Sequence, residues 1–294
     1  MLSRSLLLAA LLLAPAAFAQ DDHAKSIEAW RAARVARLTA PDSWLTLVGR
    51  HLLAPGDNSL GTESDNSIRL AVGPPYLATV TLAADGTLTL TPAPSAFLAA
   101  NGVPVHRPVP LVWQGDEPTR VTFGSANFHV MRRGEGLYLR VRDTEAASRV
   151  HFAGLDYFPI DPAWRIEAAW VPFDPVRQVG ITNMIGVTEP APVPGKAVFT
   201  RDGRTVELLP IDEGGEDLFF VLTDLTAGEE TYGASRFLYA PKPKPGETKL
   251  ILDFNRLQNP PCAFTAFATC PLPPKENRMP FRVTAGEKNY RGAH

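Results

Sequence analysis

The side chains with the most chemistry to offer fall between Tyr232 and Glu287. Asp253 and Glu276 are carboxylates, Asn255, Asn259 and Asn277 are amides, Arg236 is a guanidinium and Tyr232 a phenol. Read as a strand, "KLILDFN" turns Leu250, Leu252 and Phe254 to one face and Asp253 and Asn255 to the other. In "GASRFLY", Arg236 lies on the face opposite Phe237. If these two strands are neighbours, Arg236 pairs with Asp253, and Tyr232, Asn255, Asn259 and Asn277 complete a polar pocket. Asp224, Glu276 and Glu287 then stand at its rim. Such a pocket suits a small molecule, a glycan or a peptide. Asp253 or Glu276 would be the acid or base if the chain were an envelope hydrolase or transferase, work that needs a paired carboxylate or a raised pKa. The same residues also suit a purely structural task, because long buried loops need side chains to satisfy backbone groups that have no ladder partner. A third possibility is an interaction scaffold, marked by a broad apolar surface patch.

Cys262 and Cys270 are the only two cysteines. In an oxidising compartment they read as a disulfide that staples a proline-dense segment. A redox pair would favour C-x-x-C spacing, and a thiolate nucleophile or two free thiols are the remaining options. Familiar catalytic and cofactor motifs are missing: there is no G-x-S-x-G, H-E-x-x-H, P-loop or G-x-G-x-x-G. His129 and His151 sit in strand-like runs and would meet across neighbouring strands, but no third ligand is near in sequence. No cofactor and no metal are expected.

The first nineteen residues carry one cation, Arg4, then an apolar run closing on Ala17-Phe18-Ala19. This is the pattern of a secretory leader cleaved after Ala19. It is too short to span a bilayer, which takes about 20 apolar residues, so no stable membrane anchor is expected. The protein should act in the periplasm or outside the cell. Losing Arg4 moves the formal net charge from −2 to −3. A nucleic-acid partner would call for a surplus of cations, so none is expected.

Residues 20–43 read as an N-terminal helix and linker. Asp21 and Asp22 lie near its start and Arg34 and Arg37 near its end, the polarity a helix dipole favours. Ile27, Trp30, Arg34 and Leu38 form its inward stripe, and Pro41-Asp42 ends it. Beyond it, short alternating runs such as "LATVTLAADGTLTLTP", "NFHVMRR", "GLYLRVRD" and "DLFFVLTD" are punctuated by 28 prolines and 22 glycines, which favours antiparallel sheets over parallel α/β units. Asp85-Gly86 marks a hairpin turn. The fold expected is mainly β: a helix, a β-sandwich over residues 44–145, and a second antiparallel domain over residues 146–294 that carries the dense segment 252–281.

Two family resemblances sharpen this. "LLAPGDNSLGTESDNSIRL", "NGVPV" and "RVTFGSANFHV" together look like a forkhead-associated sandwich spanning roughly Trp44 to Met131. That family places an arginine after the glycine that is Gly61 here, where this chain has Thr62. It places serine and histidine in the loop that reads "GPPYLAT" here. The resemblance implies the fold without the phosphothreonine activity. The whole chain after the leader, including "WLTLVG", "TYGASRFLYA" and "LDFNRLQNPPCAFTAFATCPLPPKEN", resembles the domain-of-unknown-function family DUF1684, which implies an architecture and no activity.

Overall fold

The computed structural model describes residues 14–292, with side chains from Asp21 onwards. The expected leader over residues 1–19 lies outside the described residues as far as residue 13. Helix α1 spans Ala14–Thr39. It begins well before Asp21 and Asp22, so these residues sit inside the helix rather than at its N-terminus, and only Arg37 meets the dipole at its last turn. Ile27, Arg34 and Leu38 are buried at helical spacing, while Trp30 is half-buried.

The chain forms two compact units. The first comprises the chain up to Arg37 with Gly154–Ala263 and Thr269–Arg291; the second comprises Leu38–Ala153 with Phe264–Ala268 and the last residues.

The second unit holds eleven strands: β1 Leu47–Leu52, β2 Gly56–Gly61, β3 Ile68–Arg69, β4 Ala78–Leu82, β5 Leu88–Pro92, β6 Ala99–Ala100, β7 Val103–Pro104, β8 Val109–Leu111, β9 Val121–Phe123, β10 Ala126–Arg133 and β11 Gly136–Asp143. They form a six-stranded sheet, β1-β11-β10-β9-β6-β7, and a five-stranded one, β3-β2-β4-β5-β8. Leu60, Val80 and Leu90 of the second share one apolar core with Phe128, Val130, Leu139 and Val141 of the first, which makes a sandwich. Asp85-Gly86 does turn the β4–β5 hairpin, with Leu82 opposite Leu88. Only Gly86 takes a positive φ there; Asp85 instead accepts from the Thr87 backbone N–H and hydroxyl. Asn101 and Gly102 join β6 to β7 with φ of 48° and 80°, the left-handed pair that a two-residue hairpin demands. A four-residue helix, α2, follows at Ala147–Val150.

The first unit carries β12 Arg165–Thr182, β13 Thr188–Arg201, β14 Arg204–Leu208, β15 Asp217–Leu222, β16 Arg236–Pro241 and β17 Lys249–Asp253. The sheets are β14-β13-β12-β17 and the pair β15-β16. Their shared core includes Trp164, Phe199, Phe220, Leu238 and Leu252, and the irregular tail adds Met279, Phe281, Val283 and Ala285. After β17 the backbone runs, among the described residues, through three single-turn 3-10 helices and no further strand. Yet much of it is buried. Gly286 (φ 76°) shows how tightly it seats, since a Cβ there would lie 2.5 Å from the Leu257 carbonyl oxygen. Cys262 and Cys270 are joined by a disulfide, with Cα atoms 6.2 Å apart. Just past the bridge, the Met184 N–H donates to the Cys270 carbonyl (3.0 Å) and the Leu272 N–H to the Thr182 carbonyl (2.8 Å), so the stapled segment is laced to the β12–β13 turn. No helix among the described residues is long and apolar enough to cross a membrane.

Candidate ligand-binding site

Buried backbone without a ladder partner must find side chains, and in the first unit the predicted site residues are those side chains. Asn277 is fully buried; its Nδ2 donates to the Leu209 and Val221 carbonyls, and its Oδ1 accepts from the Leu209 N–H. Asn255 holds both backbone groups of Asp161 in the same way. Asn259 donates from Nδ2 to the Lys288 carbonyl at 2.7 Å, and its N–H donates to Glu287. Tyr232 donates to the Cys262 carbonyl at 3.2 Å. Glu276 stands half-buried, with Lys275 3.9 Å away. These contacts brace the tail. Asn259 Oδ1 is buried without a hydrogen-bond partner.

Arg236 does not pair with Asp253, as the strand reading expects. β16 bonds β15 and β17 bonds β12, so the two residues lie on strands that are not paired. Arg236 is 1% exposed and binds Asp224 at 2.5 Å and the Ala285 and Val283 carbonyls at 2.6 and 2.9 Å. Burial pulls its pKa down while Asp224 opposes that shift. Asp253 accepts instead from His23 of α1 at 2.7 Å, as well as from the backbone and side chain of Asn255. The other ring nitrogen of His23 is buried and has no hydrogen-bond partner among the described residues. Glu287 is spent on Arg34 and Asn259. Each of these carboxylates has its own partner. Among the aromatic side chains of the tail, Phe264 and Phe281 are core residues.

The second unit is arranged differently. Across β1, β11 and β10 the register sets Arg50, Arg140 and His129 side by side on one face; the next row sets Arg142, Asn127 and Thr122 together. Directly opposed residues of an antiparallel pair are close neighbours, and like charges there are unfavourable. Arg140 lies over the Trp44 ring at 5.0 Å and Arg50 over Tyr138 at 5.8 Å. Among the described residues, none of Arg50, Arg120, Arg140 and Arg142 has a carboxylate within 4.0 Å. The Nε atoms of Arg140 and Arg142 and the Oδ1 of Asn127 are buried without a hydrogen-bond partner.

A cleft of about 680 Å³ opens on this face, lined by Arg120, Thr122, His129 and Arg142, by the Asn101-Gly102 turn, and by Asp42, Asp116 and Glu117. Asn101 fixes the wall, since its Oδ1 and N–H bond the N–H and carbonyl of Arg120 at 2.9 Å each. Burial, followed by Arg142, Arg140 and Arg120, holds the His129 imidazole down at about 4. Burial and the neighbouring arginines also depress Arg140, to about 10, and burial together with Arg120 depresses Arg142. His129 lies in β10 and His151 directly after α2, so they are not cross-strand neighbours, and no group of three metal-ligating side chains occurs among the described residues. The arginine face went unread in the sequence, although "LYLRVRD" places Arg140 and Arg142 two apart, hence on one side of a strand.

Residues 150–288 match the model of DUF1684, described as a protein of unknown function; "WLTLVG" lies outside the match. The match covers most of the first unit's sequence and none of the cleft-lining residues. No curated protein matches the chain. Among solved structures, an uncharacterised protein of Haloarcula marismortui determined by NMR is 28% identical with a TM-score of 0.41, covering 48% of this chain and 78% of that one. Rad53 in complex with AMP-PNP is 11% identical with a TM-score of 0.19, covering 75% of this chain and 51% of that one.

Proposed function

We propose that the chain is a non-enzymatic, exported binding protein that takes a small molecule through an anionic group held by Arg120 and Arg142 in the cleft of the second unit. The observation that carries this reading is the absence of any carboxylate partner for these arginines among the described residues, while a neighbouring pair of buried atoms, Arg142 Nε and Asn127 Oδ1, also goes unsatisfied. Arg142 is half-buried and Arg120 exposed; guanidiniums without a carboxylate partner repel one another, a cost that an anion relieves, and a planar fork suits a carboxylate or a phosphate. Export is supported by the leader pattern ending at Ala19 and by a disulfide, a bond that persists in oxidising compartments. An acid–base role for Asp253 finds no support in its geometry, because His23 and Asn255 already hold the carboxylate.

The test is a sulfate titration of the ¹⁵N-labelled protein, with chloride at matched ionic strength as the reference. The arginine Nε–H signals of Arg120 and Arg142 should shift and saturate, and Arg142→Gln should abolish saturation. A response that is linear in sulfate and unchanged in Arg142→Gln would overturn the reading.

A further inference from the structure

The lining of the cleft is not simply cationic. With His129 neutral at pH 7, two guanidiniums, Arg120 and Arg142, face three carboxylates, Asp42, Asp116 and Glu117. A ligand bearing negative charge alone would therefore meet a lining whose formal charge is −1. Yet the opposite charges do not cancel one another in place, because among the described residues none of the three carboxylates has a cation within 4.0 Å. Arg142 lies on β11 and is half-buried, with Arg120 and Asp42 both acting on it, whereas Asp116, Glu117 and Arg120 lie on the exposed segment before β9.

The size of the cleft is a further constraint. At about 680 Å³ it lies in the range of sites that hold drug-sized molecules rather than one amino acid. It shares the lining residue Thr122 with a smaller, largely apolar groove of about 300 Å³. Phe97, Leu98, Pro104 and Phe123 line that groove, and Phe97 is 92% exposed.

We infer that the ligand is a zwitterion of short-peptide type with free termini, its carboxylate on Arg120 and Arg142, its ammonium at Asp116 and Glu117, and an apolar side chain laid in the groove beyond Thr122. This rests on the anion reading above and goes further by naming the second charge and the apolar portion. A terminal carboxylate matches the guanidinium fork, and a primary ammonium finds acceptors only at the acidic end.

Calorimetric titration of the protein with trileucine, N-acetyl-trileucine and trileucine amide separates the possibilities. Free trileucine should bind saturably. Acetylation and amidation should each weaken binding by about tenfold or more, the usual loss for one charge-assisted contact. In the exposed-loop double variant Asp116→Asn/Glu117→Gln, acetylation should cost nothing further, while amidation keeps its full effect. If N-acetyl-trileucine binds as tightly as the free peptide, the zwitterion inference falls and the anion reading stands. If no peptide binds while sulfate still shifts Arg120 and Arg142, the peptide class is overturned. If sulfate fails as well, the anion reading falls with it.

Discussion

In the first unit, the charged groups are largely paired and most amides are spent on backbone: Arg236 with Asp224, Asp253 with His23, Glu287 with Arg34, and Asn255 and Asn277 on backbone groups, although Asn259 Oδ1, Ser235 Oγ and His23 Nδ1 are buried without a partner. In the second unit, Arg50, Arg140 and Arg142 share one sheet and Arg120 precedes β9, and among the described residues none of the four has a carboxylate within 4.0 Å. A saturated polar group contributes to holding the fold and has nothing left for a visitor. An unsaturated one weakens the fold and keeps its bonding capacity free. Reading the two units against each other therefore moves the candidate site from the amide-rich tail to the arginine sheet.

The contrast can be broken by substitution. The largest effect is expected at Arg236→Met, which strands Asp224 and two carbonyls in the interior. A loss of about 3–5 kcal/mol, read by urea denaturation, is the usual penalty for a buried charge deprived of its partner. A near-neutral result would mean that the pair does not brace the unit. Removing the staple with Cys262→Ser/Cys270→Ser should cost about 2–3 kcal/mol by the chain-entropy relation for a short loop, and should raise proteolysis near Met184 before elsewhere. Asn277→Ala leaves three backbone groups unsatisfied and should cost about 1–3 kcal/mol without changing sulfate binding.

Acid sensitivity sharpens the comparison. Folded His129 titrates near 4 against an ordinary 6.5, so between those values the unfolded chain binds more protons than the folded one. Stability should be complete above pH 6.5 and fall as pH drops from 6.5 to about 4. Thermal melts across that window should show a shallower decline in His129→Gln, and sulfate should restore part of the loss by favouring the protonated ring. The smallest stability change is expected at Arg142→Gln, within about 0.5 kcal/mol, because no partner is lost and a like-charge contact is relieved. Its effect should appear in binding alone.

Much of this architecture could be read from the chain. Period-two runs identified the strands, Asn101-Gly102 and Asp85-Gly86 identified turns, and the amides of the tail were candidates for backbone bracing from their types. The partner of Arg236 was not legible. Period two says which side of a strand a residue takes, but not which strand lies next to it; β16 bonds β15, so Asp224, twelve residues away, is the partner and Asp253 is not. The cleft was half-legible. Arg140 and Arg142 announce a shared face, while their closeness to Arg50 and Arg120 depends on a six-strand order that runs far outside chain order.

The late-coming core of the first unit has a consequence for how the protein is made. Val283 and Ala285 supply the carbonyls that cap Arg236, and Glu287 supplies the counterion of Arg34, more than 240 residues upstream. A growing polypeptide stalled at residue 270 would hold both cations ready and neither socket finished. The Arg236 and Arg34 contacts of this half of the molecule are therefore complete only once the chain has been made as far as Glu287.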